Sequence, residues 1–225
     1  MRSLYLLSVM FMGAAATPIS PVSMCKEADA TLSDFDRTQF LELHNKFRAA
    51  AANGFAYVGK FGYSQYAQNM EAMEWRCPHE GQAIKLAESC KKPKAPAGFG
   101  MNSIFVDKAG DKIISEAIEE ALGKWRNDLK KMDLPEDMTF TKDMESTIGR
   151  ATKMLWHNTV YLACGYADCQ DKYSIVCLYS PTGNKVGEQI YEPTDDWNFI
   201  CENCPNSKNC DLEYDKLCYP DWALP

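Results

Sequence analysis

Apolar positions recur at helical spacing across Ser33–Asn53, where Phe40, Leu43, Phe47, Ala50 and Ala51 fall on one side. Ser33-x-x-Asp36 is a capping-box-like start, and Gly54 suits the end. Tyr63, Tyr66, Met70 and Met73 give an apolar side to a second helix expected over Tyr63–Trp75. After the short segment Cys77-Pro78-His79-Glu80, a further helical piece runs roughly from Gly81 to Ser89. Residues 91–100 read as a loop rich in Lys, Pro and Gly, and Met101–Val106 as a strand on a sheet edge. Asp111–Lys131 is the most regular helix, with Ile114, Ile118, Ala121, Leu122, Trp125 and Leu129 on one face. An acidic loop containing Pro135 is expected over residues 132–147, then a short helix over Ile148–Trp156.

The pattern changes after Trp156. Thr159–Tyr166 and Tyr173–Tyr179 are rich in Val, Ile, Leu and Tyr, and read as strands joined by the polar turn Cys169-Gln170-Asp171-Lys172. The second run is apolar almost without interruption, as expected of a strand covered on both faces. Pro181-Thr182-Gly183-Asn184 supplies the turn that ends the hairpin. Helices, a strand, a long helix and then a hairpin predict an α+β fold. Its architecture is a three-layer α-β-α sandwich around a central antiparallel sheet.

Composition adds the compartment. Residues 1–16 resemble a signal peptide: Arg2, an apolar core over Leu4–Met12, and the small residues Ala14-Ala15-Ala16. The run is too short to span a membrane, and no later segment qualifies. The 225 residues carry 24 basic and 31 acidic side chains. Loss of Arg2 with the signal would move the net charge from −7 to −8, so no basic footprint for nucleic acid exists. All 10 cysteines follow the signal, and an even count in a secreted chain predicts disulfides. Pro18–Ala30 reads as extended, with Cys25 as a tether. From Trp197 the chain is polar with the spacing Cys201-x2-Cys204-x5-Cys210-x7-Cys218, a disulfide-held extension over 197–225. Its Cys-x2-Cys is also half of a zinc pattern, an alternative that spacing leaves open.

Candidate chemistry is sparse. His44 in the first helix reads as structural. His79-Glu80 begins like a zinc-protease motif, but Ala83 stands where the second histidine is needed. No G-x-S-x-G elbow, phosphate loop or dinucleotide glycine pattern occurs. With the cysteines paired, a thiolate nucleophile is not expected.

Three motifs carry a resemblance. Ile148-Gly149-Arg150-Ala151-Thr152-Lys153-Met154-Leu155-Trp156, followed by Ala163-Cys164-Gly165, resembles the first signature of the CAP superfamily. Val176-Cys177-x-Tyr179-x-Pro181-x-Gly183-Asn184 resembles the second, and His44-Asn45-x-x-Arg48 the early helix motif. The superfamily comprises cysteine-rich secretory proteins, insect-venom antigen 5 and plant pathogenesis-related proteins. The cysteine layout is most similar to its nematode activation-associated secreted and venom-allergen-like branch. The resemblance implies a CAP domain over 17–196 and a hinge-like tail over 197–225. By resemblance, the disulfides would be Cys77–Cys164, Cys169–Cys177, Cys201–Cys210, Cys204–Cys218 and Cys25–Cys90.

Family members often hold zinc with two His and two acidic residues in a central cleft. The corresponding positions here are His79, Met101, Asp128 and Arg150, a degenerate set. A thioether is a poor zinc ligand and a guanidinium cannot be one, so no metal or cofactor is expected. Arg150 is expected to pair with Asp128 instead. Relatives bind sterols near the second signature and fatty acids between helices. The resemblance therefore implies a secreted, non-enzymatic effector that binds a sterol or fatty acid. A protein-binding immune modulator acting on a host leukocyte receptor without lipid is the alternative, and a metal-dependent hydrolase the least favoured. No nucleic-acid partner and no transmembrane segment are expected.

Overall fold

The computed structural model describes residues 24–25, 32–60, 62–205, 209–210 and 215–219. The signal-peptide stretch lies outside them, as does most of Pro18–Ala30. The described elements in order are α1 (Asp34–Ala52), β1 (Tyr57–Val58), β2 (Gly62–Tyr63), β3 (Tyr66–Ala67), β4 (Glu74–Trp75) and α2 (Cys77–Glu88). Then come β5 (Gly100–Asp107), α3 (Ile114–Asn127) with a 3-10 turn at Asp128–Lys131, α4 (Lys142–Thr147) and α5 (Gly149–Leu155). The chain closes with β6 (Tyr161–Asp168), β7 (Lys172–Ser180), β8 (Pro193–Thr194), a 3-10 turn at Trp197–Phe199, β9 (Asn209–Cys210) and β10 (Cys218–Tyr219).

The main sheet has the order β4-β6-β7-β5. β6 and β7 form the expected hairpin, β5 pairs antiparallel along the other side of β7, and two-residue β4 adds a parallel edge. β7 is thus a central strand, and its residues alternate between two cores. Ile175, Cys177 and Tyr179 face the large cluster with α1, α3 and α5, while Val176 and Leu178 face α2. This two-sided burial is the physical basis of its unbroken apolar run. Ser33 caps α1 as its motif implies: its hydroxyl accepts from the Asp36 backbone N–H at 3.1 Å and donates to the Asp36 carboxylate at 2.7 Å.

Four expectations need correction. Tyr63–Trp75 is not a helix. Tyr66–Ala67 pairs with Pro193–Thr194, and Glu74–Trp75 pairs with Tyr161–Leu162. Partners about a hundred residues away along the chain override a helical spacing of four apolar side chains. Cys77 to Glu80 is the first turn of α2 rather than a separate segment, with Pro78 in a position where its missing N–H costs nothing. The expected loop over 132–147 contains the short helix α4.

The disulfide pattern is the fourth. The tail bonds Cys201–Cys210 and Cys204–Cys218 are as expected. The other three are Cys25–Cys77, Cys90–Cys169 and Cys164–Cys177, in place of Cys77–Cys164, Cys169–Cys177 and Cys25–Cys90. The hairpin register decides this. Cys164 lies directly opposite Cys177 with both side chains in the core and Cα atoms 4.0 Å apart. That leaves Cys169, beyond the last paired residue, to meet Cys90 just past the end of α2. α2 is therefore fastened at both ends, by Cys77 to Cys25 and by Cys90 to Cys169. Between the staples it lies against β6 so closely that a Cβ on Gly165 would stand 2.5 Å from the Ile84 backbone nitrogen. Only glycine fits there.

The described part of the tail is joined to the domain. Cys218 donates its backbone N–H to Met70 O and accepts from Ala72 N, and Leu217 is fully buried in the main core.

Candidate functional site

The first signature helix, α5, meets α1, β5 and β7 through a connected polar network. His44 Nδ1 lies 2.7 Å from Phe40 O, which can only accept, so the proton sits on Nδ1. Nε2 then accepts from Tyr179 Oη at 3.0 Å. Tyr179 Oη in turn accepts from Asn102 Nδ2 at 3.1 Å, and the second Asn102 amide proton goes to Arg150 O at 2.9 Å. Burial, reinforced by the charge of Arg48, pulls the His44 pKa down to about 4 against the hydrogen bond to Phe40 O. The ring is therefore neutral near pH 7, as this donor order requires. The reading of His44 as structural is the arrangement observed.

Arg48, one helical turn on, is wholly buried. Its guanidinium donates to the carbonyls of Glu71, Met154, Trp156 and His157 at 2.7–2.9 Å. It thus ties α1 to the C-terminal end of α5. Burial lowers its pKa to about 9, still charged at neutrality. The spacing His44-Asn45-x-x-Arg48 now has a physical meaning. His44 and Arg48 share the inner face at i and i+4, and Asn45 beside them exchanges hydrogen bonds with the Met73 backbone.

The degenerate tetrad positions divide between two places. Asp128 and Arg150 come together: Nε–Oδ2 is 2.6 Å and Nη2–Oδ1 is 2.9 Å, a bidentate pair. Lys131 adds a third bond to Asp128 at 2.6 Å. Burial raises the Asp128 carboxyl, but the hydrogen bonds and charges of Arg150 and Lys131 outweigh it and hold the pKa below the ordinary value. Met101 and His79 lie on the other side of the sheet. Met101 packs with Ala83, Ala87, Val176 and Leu178. His79 sits in the first turn of α2 with its ring 4.8 Å from that of Phe99, edge to face. The structure does not assemble these four residues. A carboxylate already saturated by two cations, next to a guanidinium, does not fit zinc.

The cysteine-rich tail brings the sulfurs of Cys201, Cys204 and Cys218 within 4.8 Å of one another. All three are in disulfides, so they offer no thiolate to a metal.

Sequence reasoning missed two features. A second buried ion pair joins α1 to α2: Arg37 Nε and Nη2 reach Glu80 at 2.7 and 2.9 Å, and Trp75 Nε1 donates to the same carboxylate at 2.9 Å. The Arg in the first turns of α1 and the Glu after His79 gave no periodic signal. The other is a groove between α1 and α3. One cavity of about 360 Å³ is lined by Leu43, Phe47, Glu119, Leu122, Gly123, Arg126 and Met154. Another of about 310 Å³ adjoins it through Phe47 and Arg126 and is lined also by Phe55, Tyr57 and Lys130. The volumes are in the range of small-molecule sites.

The model of the CAP family, cysteine-rich secretory proteins, matches residues 41–179. Ancylostoma secreted protein of Ancylostoma caninum is 28% identical over 189 residues, and the match covers 80% of this chain but only 43% of that protein. Hookworm platelet inhibitor 1, also from Ancylostoma caninum, is 26% identical over 220 residues, covering 98% of this chain and 96% of the relative. Among solved structures, NaASP2 with Zn2+ superposes with a TM-score of 0.75 at 31% identity, over 84% of this chain and 98% of that one. BmVAL-1 superposes with a TM-score of 0.77 at 25% identity, over 86% and 98%. No helix among the described residues is long and apolar enough to cross a membrane. The family match covers more than half of the 225 residues, and the two signatures and the His44–Arg48 motif lie in the folded core: this chain belongs to the CAP family of cysteine-rich secretory proteins.

Proposed function

We propose that this protein is a secreted, non-catalytic lipid binder whose ligand lies between α1 and α3. The observation that carries this reading is the pair of adjoining cavities. Leu43 and Phe55 offer apolar surface to an acyl chain or sterol, over a floor made by the buried Phe47, Leu122 and Met154. Arg126 is shared by both cavities and stands exposed at the rim, where it suits the carboxylate of a fatty acid. Secretion is supported by the signal-like leader and by five disulfides among the described residues.

No metal has a role in this reading. His79, Met101, Asp128 and Arg150 do not form a donor set, and zinc titration calorimetry should show no tight one-to-one binding. Tight binding lost in Asp128→Asn would overturn that. Lipid binding is tested with labelled palmitate and cholesterol on the oxidised protein. Saturable uptake of either supports the reading, and absence of saturation with both refutes it.

The end-to-end match to hookworm platelet inhibitor 1 favours a second reading, a protein-binding modulator of a host cell receptor. Capture of a leukocyte or platelet surface receptor by lipid-free protein would support it over carriage.

A further inference from the structure

The surface around the β1–β2 hairpin differs from the rest of this acidic chain. Phe55, Tyr57 and Tyr63 are 72%, 57% and 57% exposed. Tyr57 and Tyr63 lie ring against ring at 4.7 Å, and the Lys130 ammonium stands 5.6 Å from the centre of the Tyr57 ring. Lys130 also lines the next cavity along, with Lys60 and Lys131, while Arg126 lines the one before it. Lys60, Arg126 and Lys130 take part in no ion pair among the described residues. The charges facing them are few. Asp133 lines the cavity with Lys60, Glu119 lines the cavity beyond Arg126, and Asp128 is buried and already bound by Arg150 and Lys131. A local excess of positive charge therefore surrounds three exposed rings, on a protein of net charge −7.

We propose that this hairpin face docks on the surface of a membrane rich in anionic phospholipid. The charge complementarity is specific to that occupant. Lysine and arginine at a surface are drawn to anionic headgroups, and aromatic rings settle at the boundary between headgroups and acyl chains. A sulfated polysaccharide would use the cations and leave the rings in water. A free phosphate would use Lys60, Lys130 and Lys131 around their shared cavity and would likewise leave the rings in water. The docking does not depend on lipid carriage, because Lys60 and Tyr63 on the hairpin line neither α1–α3 cavity and present a cation and a ring whether or not the groove is filled.

The experiment is co-sedimentation of the oxidised full chain with phosphatidylcholine vesicles, with and without phosphatidylserine. Binding should appear with phosphatidylserine, fall with added salt, and be near background on phosphatidylcholine alone. Lys60→Glu with Lys130→Glu should lower the partition coefficient at least about ten-fold. Lys85→Glu with Lys92→Glu, an equal charge change on exposed residues elsewhere, should leave it unchanged. Phe55→Ser with Tyr57→Ser should remove the fraction that resists salt. Equal binding to both vesicles, equal loss in the two charge-reversal pairs, or retention on heparin without retention on vesicles would each overturn the proposal. A palmitate titration of the Lys60→Glu protein keeps the two ideas apart, since Lys60 lines neither α1–α3 cavity and carriage should survive where docking is weakened.

Discussion

The two faces of the central sheet are built on different principles. The α2 face is small and wholly apolar at its centre: Ala83 and Ala87 against Val176 and Leu178, with Leu86, Phe99, Met101 and Ala167 around them. It has little area to bury, and it is held by a disulfide at each end of α2, by the close approach over Gly165 and, at its first turn, by the buried pair of Glu80 with Arg37 of α1. The opposite face carries Phe40, Trp125, Trp156 and Tyr179 in one large core. That core is deep enough to enclose a neutral histidine, a charged guanidinium and a carboxylate, each with its hydrogen bonds made. Covalent bonds substitute for burial on one side. On the other, surplus burial tolerates polar groups and the groove. Every ligand reading falls on the second side.

The sharpest way to break this contrast is Arg48→Met. It leaves the carbonyls of Glu71 and Met154 without a donor, while Trp156 O keeps the Thr159 N–H and His157 O the Glu71 N–H. At ~1–3 kcal/mol for each of these two buried unsatisfied groups, the loss should be on the order of 4 kcal/mol by denaturant titration. A loss under about 1 kcal/mol would show that water replaces the guanidinium freely.

Opening the staple on the other face comes next. Cys90→Ser with Cys169→Ser should cost about 3–4 kcal/mol. The loss should be concentrated in α2, read as faster amide exchange there while α3 stays protected. Uniform loss of protection would mean that the two faces unfold as one.

Acid should act on the large face. The folded-state pKa of His44 lies below that of the unfolded chain, so the unfolded chain takes up a proton that the native ring refuses. Stability is complete above pH 6.5 and falls as the pH drops to about 4. The loss over that window is roughly 3 kcal/mol. Burial also lowers the pKa values of His79 and His157, which adds to the same trend. His44→Gln should flatten the slope. An unchanged slope would contradict the neutral, Nδ1-protonated ring.

Arg150→Met is milder, because Arg150 is 37% exposed and Lys131 still neutralises Asp128. About 1–2 kcal/mol should be lost, well short of the cost of breaking a fully buried pair. The Asp128 carboxyl should titrate at higher pH by NMR. No change in either would make the pair ornamental.

The sequence made some of this legible for identifiable reasons. α1 and α3 were readable because their apolar stripes and the Ser33 cap are local signals. β7 was readable because two-sided burial writes an unbroken apolar run. The Asp128–Arg150 pair followed from the chemistry of a broken ligand set. What failed was nonlocal. The partners of Tyr66 and Glu74 lie far along the chain, and the pairing of Cys164 with Cys177 depends on a hairpin register that spacing does not encode. His79 is grouped with Asp128 only by the resemblance to the family's ligand set, although the sheet stands between them. The groove is nonlocal too: it is an absence of side-chain volume between two helices, at Gly123 among others.

Gly123 offers the most direct test of the central claim. A Cβ there would meet nothing within 4 Å, and the residue lines the α1–α3 cavity. Gly123→Trp should fill the space without straining the helix, where glycine itself costs roughly 0.5–1 kcal/mol relative to alanine. Titration with palmitate should give saturable one-to-one binding to the wild-type protein and none to Gly123→Trp, with the variant melting no lower than wild type. Equal binding by the two proteins, or no saturation by either, would contradict a lipid site between α1 and α3.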